Sequence, residues 1–392
     1  MEDKKVNVPM RRFEEFANAP EWEECRLGDV ADIFDGTHQT PKYTDSGVKF
    51  VSVENIASLE TTKFISEDAY LNEYSNKQAE KGDILMTRIG DIGTAKVIET
   101  DEALAYYVTL ALLKPKGVDS NFLVQLISSP EVQRSIWKRT LHIAFPKKIN
   151  LGEINQVELM LPSKEEQAKI GAFFATLDRT ITVHQRKLEK TKALKAAYLA
   201  EMFPAEGECK PKRRFAGFTD DWEQCTVDDI AKRYDNLRVP VASSNRVSGN
   251  TPYYGANGIQ GYVEGFTHEG EFILVAEDGA NDLQDYPVQY VSGKVWVNNH
   301  AHVLQGNEGQ TDNKFLMNAF KNINIEPFLV GGGRAKLNAD IMMKLTLRVP
   351  IYDEQQKIGA FFSTLNATIT SHQRKLEKLQ NLKKAYLNEM FV

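Results

Sequence analysis

The sequence predicts an α+β protein made by internal duplication, with two α+β domains joined by two long antiparallel, coiled-coil helices about a pseudo-two-fold axis. Three observations predict it. Residues 166–203 and 354–391 match without a gap at 28 of 38 positions. Upstream of each block, RRFEEFANAPEWEEC (11–25) resembles RRFAGFTDDWEQC (213–225), so that Trp22 answers Trp222 and Cys25 answers Cys225. Between these blocks the halves diverge, and 392 residues exceed the size of one ordinary core. The boundaries that follow are a first domain over 1–162, a first helix over 163–204, a linker with the second domain over 205–350, and a second helix over 351–392.

In the first variable segment, β-rich runs are expected at 49–53, 84–89 and 94–98, followed by an amphipathic helix over 120–139. The second has runs at 272–276 and 294–297 and a helix over 312–321. A faint correspondence sets GDILMTRIGDIG (82–93) against EFILVAEDGAN (271–281), aligning Arg88 with Glu277. The repeated blocks read as helices. Ile170, Phe173, Leu177, Ile181, Leu188 and Leu194 form one apolar stripe, and Ile358, Phe361, Leu365, Ile369, Leu376 and Leu382 form the other. Neither block contains proline, and 38 residues of helix span about 57 Å. An apolar seam flanked by HQRKLEK in both copies needs a partner, and the other copy is the nearest one. The alternative is a long helix lying on its own domain.

Composition narrows the function. No apolar run approaches the roughly 18–20 residues of a membrane span, and MEDKKVNVPM lacks a signal-peptide core, so a cytoplasmic protein is expected. Three cysteines without a CxxC fit a reducing compartment and no structural zinc. A net charge of −6 argues against coating nucleic acid through bulk electrostatics but leaves room for local basic grooves. There is no GxxxxGK[ST], HExxH or GxSxG, and Gly293-Lys294 is followed by valine. His300-x-His302 reads as loop or strand polar groups rather than a metal site, and the glycines 331–333 before Arg334 read as a turn or a phosphate cradle. No catalytic residue, metal or cofactor is assigned to this chain.

The whole pattern resembles the specificity subunit of type I restriction–modification systems. The resemblance rests on the paired R-F-x-x-F…W-E-x-C lead-ins, the two P-x-x-x-E-Q-x-K-I-x-x-F-F helix starts from Pro162 and Pro350, and YYGANGIQGYV (253–263), VAEDGAN (275–281) and VNNHAHVL (297–304). DGTHQTPKY (35–43) and GDILMTRIGDIG (82–93) look like the first-domain counterparts. It implies that each variable domain is a target recognition domain reading half of a split, asymmetric double-stranded DNA target. It also implies that the helices set the spacing and dock two methyltransferase subunits. Those partners would use S-adenosylmethionine to methylate adenine, and a restriction motor-nuclease subunit would use ATP with Mg2+. Residues 216–345 carry 17 acidic and 10 basic side chains, so the free chain is expected to bind DNA poorly.

Candidate DNA-contacting residues follow from the groove preferences of Arg, Lys, Asn and Gln. In the first domain they are His38, Gln39, Lys42, Tyr43, Arg88, Lys147 and Lys148. In the second they are Arg238, Ser244, Arg246, Tyr254, Asn257, Asn299, His300 and Arg334. A stand-alone DNA-binding protein would predict basic heads, and a coiled-coil adaptor would leave two divergent heads on one frame unexplained.

Overall fold

The computed structural model describes residues 7–331 and 335–392. Its residues fall into two compact units, one running to Gln185 and including Lys375–Val392, the other Arg186–Arg374. Each unit therefore holds one variable domain, the start of one long helix and the end of the other. Among the described residues, no helix is long and apolar enough to cross a membrane.

In the first unit a four-stranded antiparallel sheet runs in the order Ala31–Asp35, Leu110–Pro115, Ile84–Thr87, Ala95–Val97. A three-stranded sheet (Phe64–Ile65, Val48–Val51, Leu104–Tyr106) and a ribbon of Glu23–Arg26 with Glu158–Leu161 complete it. The central strands are buried on both faces, as their unbroken apolar runs require. Ile84, Met86, Ala111 and Leu113 face the helical core, while Leu85, Leu110 and Leu112 face a second core with Phe50, Tyr74 and Tyr106. The expected helix over 120–139 is two helices, Ser120–Ser128 and Pro130–Lys138. Ser129 closes the first and caps the second, because Pro130 has no N–H to continue the ladder.

The second unit carries a six-stranded sheet in the order Ala231–Arg233, Ala301–Gly306, His268–Ala276, Val288–Val297, Ser248–Gly255, Gly258–Val263. The expected runs at 272–276 and 294–297 belong to a longer antiparallel pair, His268–Ala276 with Val288–Val297. Gly270 and Gly293 face each other within it at positive φ, and these glycines break the apolar pattern that sequence reading follows.

The repeated blocks are the helices Lys164–Met202 and Tyr352–Glu389. In the first unit Phe173 meets Tyr386 at 5.1 Å, Asp178 bonds Lys383 at 2.6 Å, and Phe391 packs on Phe174, Phe122 and Trp22. Numbers rise along one helix as they fall along the other, so the segments are antiparallel. The second unit repeats the arrangement: Tyr198 meets Phe361 at 5.0 Å, and Phe203 packs on Phe362, Phe315 and Trp222. Ile170, Leu177, Leu188, Ile358 and Leu376 are buried, and Phe173, Ile181, Phe361, Leu365 and Ile369 are half-buried. Leu194 and Leu382 depart from expectation and are exposed. Each lies six residues beyond the preceding stripe leucine, and six steps of 100° turn it about 120° off that face. Tyr198, Leu199, Met202 and Phe203 carry the seam in one unit, and Tyr386, Leu387, Met390 and Phe391 carry it in the other.

The shared motif is a set of latches. The second arginine of each lead-in forks onto the glutamate at the start of a long helix, Arg12 on Glu166 (2.7 and 2.6 Å) and Arg214 on Glu354 (2.7 and 2.7 Å). The first arginine bonds the glutamate at the end of a long helix, Arg11 to Glu389 and Arg213 to Glu201. The glutamine of the motif spans two backbones. Gln167 donates to the Pro162 carbonyl and accepts from Asp119 N–H; Gln355 does the same with Pro350 and Asp312. Asp119 and Asp312 in turn cap the helices Ser120–Ser128 and Asn313–Lys321.

The glycine of the motif makes room for that cap. A Cβ on Gly171 would stand 2.4 Å from Asp119 Oδ1 and 2.9 Å from Phe122 N; on Gly359 it would stand 2.4 Å from Asp312 Oδ1 and 3.0 Å from Phe315 N. Alanine normally stabilises a helix interior over glycine by about 1 kcal/mol. Here the crowding, typically about 1–3 kcal/mol, reverses the sign. G171A and G359A should each lower the urea midpoint of unfolding, whereas G152A, which meets nothing within 4 Å, should leave it level or raised.

Candidate nucleic-acid interface

In each variable domain the loops at one end of the sheet meet over a cluster of charges. In the first, Arg88 follows strand Ile84–Thr87 and is buried. Its guanidinium donates to the carbonyls of Ile149 (3.3 Å) and Val108 (3.4 Å) and lies 3.5 Å from Asp35. Burial disfavours its charge and lowers its pKa, with Asp35 opposing. It thus joins the loop after Asp35, the segment at Val108 and the segment at Ile149. His38 closes the cluster by bonding Asp35 at 2.7 Å.

The second domain uses the same positions with other charges. Glu277 follows strand His268–Ala276 and bonds Arg238 (2.5 Å) and Lys336 (2.7 Å). Asp235 accepts from Val303 N–H and meets His302 at 2.7 Å, and the other ring nitrogen of His302 meets the Leu337 carbonyl at 2.8 Å. The backbones confirm the equivalence of Arg88 and Glu277. Ile149 N–H donates to the Arg88 carbonyl as Leu337 N–H does to that of Glu277, and the bridges Ile89↔Lys148 and Asp278↔Lys336 follow. Asp35 and Asp235 likewise share a place, as do His38 and Arg238. The first head thus has a basic group where the second has an acid, and the balancing cation moves to position 238.

Burial pushes the Asp235 carboxyl up, but its bonds from His302 and Val303 and the Arg238 charge outweigh that and hold it low. Burial likewise opposes Glu277, and Lys336 and Arg238 overcome it. Asp235, Glu277 and His302 bring one ligand atom each within 4.8 Å of one another, a spacing a cation could use. Arg238 and Lys336 already neutralise these carboxylates, so the donor set does not call for a metal.

The sequence-derived residues therefore fall into two groups. Arg88 and Arg238 are turned inward: Arg238 also donates to the Asp235 and Ala301 carbonyls. Arg88 is buried and Arg238 half-buried, and their guanidinium groups satisfy loop carbonyls and carboxylates, a fold-holding place rather than the base contact for which residue type singled them out. Asn257 pins the loop at Gly279–Asn281 through both ends of its amide, His300 bonds Asp278, and Arg246 stacks 3.9 Å over the buried Tyr253. Tyr254 is half-buried beside the small core of Phe272 and Val297. His38, Gln39, Lys42, Tyr43, Lys147, Lys148, Ser244 and Asn299 are exposed on the loops. Arg334 lies outside the described residues. Sequence reasoning missed Asp35, Asp235 and Lys336, and read His302 as a strand or loop polar group without its place in this cluster. The signal for the aspartates was that Asp35 and Asp235 stand 200 residues apart, the same offset as Trp22 and Trp222.

Two outcomes test this arrangement. R88E alone sets two carboxylates together at Asp35 and should destabilise the first unit by about 1–3 kcal/mol, whereas H38R/R88E restores the cation found in the second unit and should recover much of the loss. A double-mutant cycle of urea unfolding measures the coupling. Because Asp235 and Glu277 stand below their ordinary values, their stabilisation is complete above the ordinary carboxylate range and is lost as pH falls through their folded values. Unfolding curves between pH 6 and about pH 3 should show a smaller acid-induced loss in E277Q.

Comparison with known proteins places this geometry. The family described as the type I restriction modification DNA specificity domain matches residues 20–193 and again 219–381. Over 141 residues the chain is 48% identical to a Haemophilus influenzae protein named a type I restriction enzyme specificity subunit, a match spanning 36% of each chain. A Methanocaldococcus jannaschii relative, named the MjaX specificity subunit of a type I restriction enzyme, is 21% identical over 410 residues, covering 95% of this chain and 94% of its own. The crystal structure of an S subunit of a type I restriction-modification system from M. genitalium shares the fold, with a TM-score of 0.75 at 14% identity over 98% of this chain and 99% of that one. With one family match in each half of the duplication, the protein belongs to the type I restriction–modification DNA specificity family.

Proposed function

We propose that this chain is the sequence-reading subunit of a type I restriction–modification complex, each head reading one half of a bipartite, asymmetric DNA target. The observation that carries the reading is the contrast between frame and loops. The two units repeat the same latches, caps and cluster positions, yet the loops over those clusters differ and one cluster position, Arg88 against Glu277, carries opposite charge. Identical frames suit two copies of one partner, and unlike loops suit two unlike half-sites.

On this reading the chain itself carries no catalytic step. Two methyltransferase subunits dock on the repeated helices, bring S-adenosylmethionine and take an adenine out of the stack. A motor-nuclease subunit with ATP and Mg2+ cuts unmodified DNA. The exposed Gln39, Lys42, Lys147, Lys148, Ser244 and Asn299 approach the duplex, while Arg88 and Arg238 hold the loops beneath them. Much of the non-specific affinity comes from the partners, because the acidic heads attract phosphates weakly. The assembly works in the cytoplasm.

The test is base-modification sequencing of a methylation-free host that expresses this chain with its methyltransferase subunit. A split, asymmetric adenine-methylated motif that disappears without this chain is expected. Matched deletions of whole helical turns from Lys164–Met202 and Tyr352–Glu389 should alter the gap between half-sites and leave both half-sites unchanged. No new modification from a soluble, associated pair would defeat the proposal in favour of an adaptor role.

A further inference from the structure

The hairpin closed by the bridge Leu141↔Lys148 in the first head carries two large apolar side chains at its tip with nothing against them. Ile143 is 100% exposed and Phe145 103%. Protein surfaces rarely leave two such groups bare without a use. Beneath them, the half-exposed Trp137 meets His142 at a tilt of 55° with ring centres 4.2 Å apart, and Lys147 Nζ lies 4.7 Å over the Trp137 ring. The stretch of chain around the tip is rich in cations. Between Glu131 and Glu153 the chain has Arg134, Lys138, Arg139, Lys147 and Lys148 and no acidic residue, although its net charge is −6. Arg134 and Arg139 pair with Glu131, Glu153 and Glu158, which leaves Lys138, Lys147 and Lys148 around the tip.

Resting on the reading of this chain as a DNA-sequence subunit, we propose that Phe145, backed by Ile143, is a wedge that enters the base stack of the half-site read by the first head. Apolar side chains inserted between base steps unstack them and bend the duplex, and the lysines at the root of the tip meet the flanking phosphates. The anchor is firm: Gly90 N–H donates to the Lys147 carbonyl, and Lys148 bridges Ile89 beside the buried Arg88. A docking surface for another protein would not need a surplus of lysines around its apolar centre. DNA does, because its backbone is uniformly anionic. The second head has a matching bridge, Val330↔Lys336, and residues 332–334 lie outside the described residues.

The test uses the assembled complex with methyltransferase subunits and a duplex bearing the motif found by modification sequencing, with 2-aminopurine placed at successive positions of the first half-site. Fluorescence should rise at one step other than the methylated adenine. I143S/F145S, whose side chains contact nothing in the fold, should abolish that rise and weaken site binding roughly tenfold or more. F145W should retain both, with its own emission quenched by the duplex. Unchanged binding and fluorescence in I143S/F145S would overturn the wedge and leave the specificity reading standing. Loss of methyltransferase association in that variant would overturn it in favour of a protein contact. A wild-type complex that selects no sequence would remove the specificity reading as well.

Discussion

Everything in each unit hangs on a carboxylate that water does not reach. Glu166 and Glu354 are fully buried at the start of the long helices, and each is held by a forked arginine from a distant lead-in. A buried ion pair adds little net stability over an apolar substitute, but removing one partner costs about 3–5 kcal/mol. The pair therefore acts as a constraint on geometry more than as a source of stability. Lead-in, helix start and head must come together in one arrangement or leave a naked charge. The adjacent glutamine then fixes the approach of the head's capped helix, and the glycine four residues on permits its closeness.

This explains which parts of the fold were legible in the sequence. The repeat is visible because the latch residues cannot vary independently: the arginine forks onto the glutamate, while the glutamine and glycine both meet the aspartate that caps the head's helix, in both units. The long helices follow from their uninterrupted periodicity. The break at Ser129-Pro130 was hidden because the apolar pattern continues through it, and Leu194 and Leu382 were misplaced because hydrophobicity was followed where rotation about the axis decided. The charge clusters under the loops were illegible for another reason. Asp35 and Arg88, or Arg238 and Glu277, are brought together only by strand pairing, and no local pattern marks them. Candidate DNA contacts chosen by residue type therefore mixed groups that face outward with groups that hold the loops from beneath.

The same clusters change what the acidic composition means. Asp235 and Glu277 count towards the negative charge of the second head, yet they lie against Arg238 and Lys336 at the base of the loops. A duplex approaching the loops meets a less repulsive surface than the residue count suggests, because paired charges within the protein largely cancel at distances beyond a Debye length of about 8–10 Å.

The opposite charge at the Arg88 and Glu277 positions bears on how such heads diverge. A carboxylate at the Arg88 position needs cations beside it, as the second head shows with Glu277 between Arg238 and Lys336. Exchanging one member alone leaves like charges together in a half-buried site, where little water screens them. The cluster must change as a set, and the loops it holds change with it. The Arg–Glu latches are separate from it in space and in partners, so they stay compatible with any head whose capped helix keeps its aspartate against the helix glycine. The unit that can be replaced without strain is therefore the whole head, from the lead-in tryptophan to the proline before the long helix. A preserved frame beside unrelated loops is the outcome that this separation allows.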